Sequence, residues 1–312
     1  MSVSQDLFDF SSLPRQAEVI EVCPRDGFQN VHTFIPTTTK IAMLDELAEA
    51  GFKSMEVTSF VSPKAVPQMA DSAEILTDFK RKHKNIDAVA LILNAKGAER
   101  AVAAGADTLN FVLSASESHN HENTRRTVAE SLAELPPIFA LRKDGRPKVH
   151  VSVATGFFCP FEGDVPKEAV LKILERAISL GADGLSVADT LGTAHPRKLQ
   201  DTLSAVRKLC GDRRIILHLH DTWGMAMVNA LTALRLGFNA FDSATGGLGG
   251  CPFAPGAAGN VATEDLVNFL ENLGIETGID LDKVLAVAKT IPERTGAPLC
   301  SHLAVATICK QA

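Results

Sequence analysis

The chain has 312 residues, of which 46% are hydrophobic and 22% are charged. This length fits a single α/β barrel of about 250 residues with insertions, and the apolar content excludes wholesale disorder. The formal net charge of −6 argues against a nucleic-acid surface, and no apolar run approaches the roughly 20 residues that cross a bilayer.

A short pattern recurs along the chain: an apolar helix end, a glycine and then a strand. It appears at Gly51, Gly105, Gly181 and Gly237. Glycine tolerates the left-handed conformation that ends a helix, and a short loop then leads into a buried strand. We predict strands at 18–23, 53–57, 88–93, 107–113, 149–154, 184–187, 215–220 and 240–243. We predict helices at 39–50, 66–82, 95–104, 124–142, 166–180, 197–209, 224–236 and 263–273.

Eight strands in alternation with eight helices predict an α/β fold of the (β/α)8 TIM-barrel type. An open, doubly wound sheet is the alternative, because periodicity alone does not distinguish the two. We predict one catalytic domain, with the barrel over about 17–275 and an extra C-terminal helical segment over about 280–312.

The cysteines lie at scattered positions and form no Cys-x-x-Cys pair. In a chain of this size they indicate reduced thiols rather than a disulfide framework or a structural zinc site. The first residues, from Met1 to Asp6, lack the basic and apolar regions of a secretion signal. We therefore expect a cytoplasmic protein.

The first predicted strand ends in a Pro-Arg-Asp-Gly motif that contains Arg25 and Asp26. Active sites of such barrels lie at the carboxyl ends of the strands. One interpretation of the motif is a surface ion pair. The other assigns the Asp26 carboxylate to a metal and the Arg25 guanidinium to an oxyanion.

The seventh predicted strand ends in a His-x-His-Asp motif. Side chains alternate across a strand, so His218 and His220 share one face and can bind one cation at the barrel mouth. Two hydrogen-bonded interior histidines are the alternative. A second pair, His119 and His121, lies in a polar stretch that we interpret as a solvated loop near the substrate entrance, not as a metal site.

A glycine-rich segment, residues 245–260, follows the eighth predicted strand. Its glycines and prolines favour a loop that closes over a ligand or lets the backbone approach it. Cys251 in this loop is either a buried inert thiol or a proton donor. Asn260 is either a cap at the end of the loop or an oxygen ligand of the metal.

Two further carboxylates stand at strand ends and face the same mouth, Glu56 on the second strand and Asp189 on the sixth. We expect them to order Arg25 and the histidines, or else to form structural salt bridges. Carboxylate, imidazole and amide ligands with open positions suit Mg²⁺ or Mn²⁺, and Zn²⁺ less well. The glycine-rich segment has no phosphate-binding lysine, which disfavours a nucleotide site.

Four segments closely resemble the 3-hydroxy-3-methylglutaryl-CoA (HMG-CoA) lyase family of metal-dependent TIM-barrel lyases. They are residues 24–30, 58–69, 218–222 and 246–256. The resemblance extends from about residue 15 to 310. It implies carbon–carbon cleavage of a 3-hydroxyacyl-CoA, most directly HMG-CoA to acetyl-CoA and acetoacetate, as in leucine degradation.

The resemblance also implies roles for individual residues. The implied metal ligands are Asp26, His218, His220 and Asn260. The implied catalytic residues are Arg25, Asp26, His218 and Cys251. The implied substrate-binding residues are Gln29, Arg25 and Glu56. The implied supporting residues are Asp189 and Glu264. In these roles Arg25 neutralises enolate charge and Cys251 transfers a proton.

Departures from the family pattern near the pocket leave the acyl group open. Trp223 stands where Tyr or Arg is more usual, and the segment 151–163 has a longer run before its Cys-Pro pair. The first alternative is the same chemistry on citramalyl-CoA or another 3-hydroxy-3-alkylglutaryl-CoA.

Two alternatives change the activity itself. An acyl-CoA condensing enzyme of the isopropylmalate synthase type is one, although such enzymes usually carry a long C-terminal region. A non-catalytic metal-storage barrel is the other, and it leaves Arg25 and Cys251 unexplained. As partners we expect an acyl-CoA thioester and a second copy of the chain in a homodimer, and neither nucleic acid nor a membrane.

Overall fold

The computed structural model describes residues 10–250 and 259–309, and eight parallel strands in these ranges close into a barrel. Each strand pairs with its neighbours in chain order, and the first pairs with the eighth. The strands are β1 (Glu18–Glu21), β2 (Ser54–Ser59), β3 (Asp87–Ile92), β4 (Thr108–Ser114), β5 (Lys148–Ala154), β6 (Gly184–Asp189), β7 (Ile215–Leu219) and β8 (Ala240–Ser243). The predicted (β/α)8 barrel is confirmed, and the open sheet is excluded.

Helices return the chain from the end of each strand to the start of the next. They are α1 (Thr37–Ala48), α2 (Ser72–Lys82), α3 (Ala95–Ala103), α4 (Glu117–Thr124), α5 (Val128–Ala133), α6 (Leu135–Phe139), α7 (Lys167–Ser179), α8 (Pro196–Cys210), α9 (Ala226–Arg235) and α10 (Thr263–Asn272). A short antiparallel ribbon, Phe158–Cys159 with Gly163–Asp164, precedes α7. Among the helices described, none combines the length and the apolar character needed to cross a bilayer.

The polar stretch after β4 is a helix, so the prediction of a solvated loop there is wrong. The Ser116 hydroxyl caps α4 by accepting the His119 N–H at 3.2 Å. His119 is only 4% exposed, and its Nδ1 lies 2.6 Å from the Ser114 hydroxyl. One face of α4 is therefore buried because its polar side chains are hydrogen-bonded, while Glu117, Ser118 and His121 are exposed.

The predicted helix over 124–142 is also wrong, because the chain breaks it twice. Arg125 adopts a left-handed conformation with φ 57° and ends α4, and a capping box at Thr127 starts α5. Two prolines, which fit only the first turn of a helix, then start α6. A separate turn, Pro67–Met69, likewise precedes α2 where we predicted one helix over 66–82.

The chain beyond the barrel forms two helices, α11 (Leu281–Thr295) and α12 (His302–Cys309). Asp265 on α10 holds the start of α12, because its carboxylate accepts the N–H groups of His302 and Leu303 at 2.8 Å each. Between the two helices, the Cys300 N–H donates to the Gly246 carbonyl at 2.9 Å. The C-terminal segment therefore contacts the base of the glycine-rich segment.

The barrel interior is more polar than the branched aliphatic filling that is usual for this fold. A small internal cavity is lined on its polar side by Ser54, Glu56, Asn110, Ser152, Ser186 and Asp242. At the amino-terminal end of the strands, Arg214 pairs with Glu18 through two contacts of 2.6 and 2.7 Å. Polar groups near the carboxyl-terminal end of the strands form the candidate active site.

The buried His150 on β5 is expected to make stability depend on pH. Burial, together with the charges of Arg214 and Lys148, lowers the pKa of His150 to about 3. The unfolded chain binds this proton near pH 6.5 and the folded chain does not, so stability is lost as pH falls from about 6.5 toward 3. His150 alone should lower the free energy of unfolding by about 2 kcal/mol between pH 7 and pH 5.

Urea denaturation at pH 7 and pH 5 tests this expectation. His150→Asn should lose less stability between the two pH values than the wild type does. The matched control is His32→Asn at an exposed position, which should lose as much as the wild type. Equal losses in all three proteins would show that His150 is not the titrating group.

Candidate active site

The turn that follows β1 carries two of the candidate residues. Cys23–Gly27 form a single π-helical turn, and the side chains of Arg25 and Asp26 are 9% and 8% exposed. A Cβ on Gly27 would lie only 2.9 Å from the Leu248 Cβ. The glycine therefore lets the glycine-rich segment pack directly against the turn.

The end of β7 supplies two imidazoles to the same place. The Nε2 atoms of His218 and His220 lie 3.1 Å apart. They lie 3.7 and 3.8 Å from Asp26 Oδ2. One ligand atom from each of the three residues falls within 4.8 Å of the others. The structure thus brings together the carboxylate and both histidines that the sequence analysis singled out.

Asn260 joins this group from the end of the glycine-rich segment. Its backbone pairs with that of His220, and its Nδ2 donates to Asp26 Oδ2 at 2.6 Å. Gly249 makes the approach possible, since it has φ +120° and a Cβ there would lie 2.4 Å from Asn260 Nδ2. Gly249 therefore lets the glycine-rich backbone lie directly against the Asn260 side chain.

The donor set of these residues fits a divalent cation. Within the described ranges, Asn260 Oδ1 and His220 Nδ1 are buried atoms that have no hydrogen-bond partner. Two imidazole nitrogens that face one another beside a carboxylate are ligand atoms that a shared cation would satisfy. Asp26, His218, His220 and Asn260 therefore form a possible metal site.

The protonation states of Asp26 and His220 suit metal binding, whereas at His218 the opposing effect of burial is outweighed by Asp242, which raises the pKa of that imidazole. Burial, and then the neighbouring His218, lower the pKa of His220 to about 4. Burial opposes the ionisation of Asp26, yet Arg25 and the two histidines lower the pKa of its carboxyl to about 2. At neutral pH the site therefore presents a carboxylate and a neutral imidazole, which are the forms that ligate metals.

Arg25 lies beside this group between two carboxylates. Its guanidinium bonds to Asp26 on one side and to Glu56 of β2 on the other. Glu56 is 2% exposed, and its second oxygen accepts the Asn110 Nδ2 at 2.8 Å. The guanidinium is thus held in place before any ligand arrives, which is what stabilisation of a developing oxyanion requires.

Asp242 on β8 is a site residue that the sequence analysis missed. Its Oδ2 lies 3.1 Å from His218 Nδ1, which turns Nε2 toward Asp26 and His220. A carboxylate in this position orients a metal-binding imidazole. The signal in the sequence was one Asp at an inward position of a short apolar strand.

Asp189, in contrast, does not orient a histidine. Burial raises the pKa of Asp189 to about 6, and its carboxylate accepts the N–H groups of Thr193 and Ala194 at 3.3 and 3.0 Å. It shapes the loop before α8, and among the described residues its carboxylate makes no hydrogen bond to either histidine. Asp242 has that role instead.

Two further predicted residues, Gln29 and Glu264, lie around the same mouth. Gln29 donates through Nε2 to Asp26 Oδ1 at 2.8 Å. Both oxygens of Glu264 lie 3.1 Å from the Gly246 N–H, and burial raises the pKa of Glu264 to about 7. Cys251 lies outside the described residues.

Glu21 on β1 is a second residue that the sequence analysis missed. Its Oε1 accepts the backbone N–H groups of Cys23 at 2.8 Å and of Thr245 at 3.0 Å. Glu21 thus ties the turn after β1 to the glycine-rich segment after β8. An acidic residue inside an apolar strand was the available signal.

The family model described as HMGL-like matches residues 16–291. This chain belongs to the HMGL-like family. The predicted resemblance to the HMG-CoA lyases is thereby confirmed.

Individual HMGL-like relatives match nearly the whole chain. Hydroxymethylglutaryl-CoA lyase YngG of Bacillus subtilis is 39% identical over 289 residues, covering 93% of this chain and 96% of that protein. Human mitochondrial hydroxymethylglutaryl-CoA lyase is 40% identical over 299 residues, covering 96% of this chain and 91% of that protein.

Solved structures agree with the HMGL-like assignment. An HMG-CoA lyase from A. baumannii, in complex with coenzyme A and 3-methylmalate, has a TM-score of 0.89 and 44% identity, covering 94% of this chain and 95% of that chain. The carboxyl transferase domain of Rhizobium etli pyruvate carboxylase, at 17% identity and TM-score 0.70, covers 89% of this chain and 47% of that chain and shares the fold alone.

Proposed function

We propose that this protein is a divalent-metal-dependent carbon–carbon lyase that cleaves HMG-CoA to acetyl-CoA and acetoacetate. The observation that carries the proposal is the convergence of Asp26, His218 and His220 at one point of the barrel mouth, next to the buried Arg25. Relatives that share about 40% of their sequence over nearly the full length are named for this activity.

The chain supplies groups for each stage of the cleavage. A bound cation would acidify the tertiary hydroxyl of the substrate and fix its orientation. A base beside the metal site removes the hydroxyl proton, and the two candidates are Asp26 and His218. The C2–C3 bond then breaks. The hydroxyl oxygen becomes the ketone of acetoacetate, and the bonding pair passes to the enolate of acetyl-CoA.

The enolate is stabilised and then protonated. Arg25, held by Glu56, faces the negative charge that develops on the thioester oxygen. Gln29, bonded to Asp26, is the proposed contact to the acyl group. Cys251 is the proposed donor of the proton that C2 receives, which completes acetyl-CoA.

We propose HMG-CoA as the substrate because the relatives are named hydroxymethylglutaryl-CoA lyases. Citramalyl-CoA and longer 3-hydroxy-3-alkylglutaryl-CoA thioesters are the comparison set. Trp223, a departure from the family pattern, has 65% of its surface exposed. The relatives are named lyases, which favours cleavage over condensation.

We propose four further properties of this enzyme. They are the use of Mg²⁺ or Mn²⁺, the cytoplasmic location, the homodimer and the role in leucine degradation.

A coupled assay for acetyl-CoA release tests the proposal. With Mg²⁺ or Mn²⁺ present, kcat/KM for HMG-CoA should exceed that for each other thioester by about tenfold or more, the discrimination that one altered alkyl group provides. Removal of the metal with EDTA should abolish turnover. Preferred cleavage of citramalyl-CoA would move the proposal to that substrate, and no release from any thioester would contradict the lyase.

A further inference from the structure

Asn110 and Ser152 are polar side chains near Glu56 that take no direct part in the proposed reaction. Asn110 lies on β4 and Ser152 on the neighbouring β5, where the strands pair in parallel register. Both side chains line the interior cavity of the barrel. Both side chains are partly buried, and withdrawing polar groups from water costs free energy unless they are hydrogen-bonded.

The contacts form one continuous series. Ser152 Oγ donates to Asn110 Oδ1 at 2.7 Å, and Asn110 Nδ2 donates to Glu56 Oε1 at 2.8 Å. The other oxygen of Glu56 accepts from Arg25. An ionised carboxylate only accepts, so the amide must present its NH₂ group to Glu56 and its carbonyl to the hydroxyl. One arrangement therefore satisfies every member of the series.

We propose that Asn110, held by Ser152, is a positioning residue that fixes the rotation of the Glu56 carboxylate and thereby the place of the Arg25 guanidinium. The expected effect on turnover rests on the proposed function. The expected effect on Arg25 itself does not.

The surroundings of Glu56 show why this support is needed. The carboxylate is buried, and the nearby charges of Asp242 and Asp26 both disfavour its ionised form. The charge of Arg25 and the amide of Asn110 favour the ionised form. Without Asn110, Glu56 Oε1 loses this donor and the carboxylate is free to turn away from Arg25.

The same interior offers a matched control. Ser186 on β6 lines the cavity as Ser152 does. Its hydroxyl is buried but has no hydrogen-bond partner among the residues that the structure describes. Ser186→Ala therefore removes an interior hydroxyl of the same kind without touching the series.

Steady-state kinetics with HMG-CoA tests the effect on turnover. Asn110→Leu should lower kcat by about tenfold to a hundredfold, the value of a hydrogen bond to a charged group, with KM changed by less than about twofold. Ser152→Ala should lower kcat less, and Ser152→Thr, which keeps the hydroxyl, should restore it. Ser186→Ala should match the wild type. A near-normal kcat for Asn110→Leu, or an equal loss for Ser186→Ala, would overturn the proposal.

A second measurement does not depend on activity. The Nε–H group of Arg25, which donates to Glu56, can be followed by NMR hydrogen exchange and assigned with an Arg25→Lys variant. Exchange should be at least about tenfold faster in Asn110→Leu and in Ser152→Ala than in the wild type or Ser186→Ala. If Asn110→Leu fails to fold, the exchange rate of the Arg25 Nε–H group in Ser152→Ala tests the positioning role. Unchanged exchange would refute the positioning role, whereas an inactive wild type would refute only the proposed function.

Discussion

Replacing Arg25 by glutamine is expected to lower kcat for HMG-CoA cleavage by about 10³-fold or more. Glutamine keeps an amide donor but loses the positive charge, so the enolate oxygen is no longer neutralised. Glu56 and Asp26 both bond to the guanidinium, so they also lose the positively charged side chain that they share. Steady-state kinetics on the metal-loaded protein measures the effect, and circular dichroism at the same concentration checks that the barrel is folded.

The control for this prediction is a second, partly exposed arginine–carboxylate pair of the same barrel. Arg214 bonds to Glu18 at the amino-terminal end of the strands, at 2.6 and 2.7 Å. Arg214→Gln should lower the melting temperature and leave kcat close to that of the wild type. Near-normal turnover of Arg25→Gln would contradict its role, and equal losses in both variants would point to a general effect of barrel stability.

Loss of one imidazole should remove the metal site. In His220→Ala we expect Mn²⁺ affinity to fall by more than about 100-fold, and turnover to fall with it. Asp242→Asn should weaken Mn²⁺ binding by about 10- to 100-fold, since it removes only the partner that orients His218. Titration followed by the EPR signal of free Mn²⁺ measures both variants in the absence of substrate.

An exposed histidine–aspartate pair provides the matched control. The side chain of His302 is 85% exposed, and its Nδ1 lies 3.1 Å from Asp265 Oδ2. His302→Ala should bind Mn²⁺ as the wild type does. Wild-type affinity in His220→Ala would remove the basis of the metal site. Wild-type affinity in Asp242→Asn alone would remove only the orienting role.

The architecture could be predicted because its signals are local and repeated. A glycine with positive φ, such as Gly105 at +93°, recurs at the four helix ends that the sequence analysis identified, and the alternation of helix and strand specifies the barrel. His218 and His220 were identifiable because their spacing of two places both rings on one face of a strand. Arg25 and Asp26 were identifiable because they follow a strand directly.

Other features depend on tertiary contacts that a linear pattern does not contain. The partner of His218 is Asp242, on the neighbouring strand, and only the register between β7 and β8 brings them together. Asp189 occupies an equivalent strand end but bonds to its own following loop. The break before α5 depends on the left-handed conformation of Arg125, a residue type that rarely adopts it.

Hydrogen bonds across the mouth join positions that are very far apart in the chain: Asn260 bonds to Asp26, 234 residues earlier. The ribosome synthesises the chain from its amino terminus, so Asp26 emerges long before Asn260, whose amide bonds to the Asp26 carboxylate. The ligand set is therefore complete only when almost all of the barrel has been synthesised. Nascent or truncated chains that stop before β8 contain Arg25 and Asp26 but lack the glycine-rich segment that follows β8. Their reaction centre is therefore incomplete.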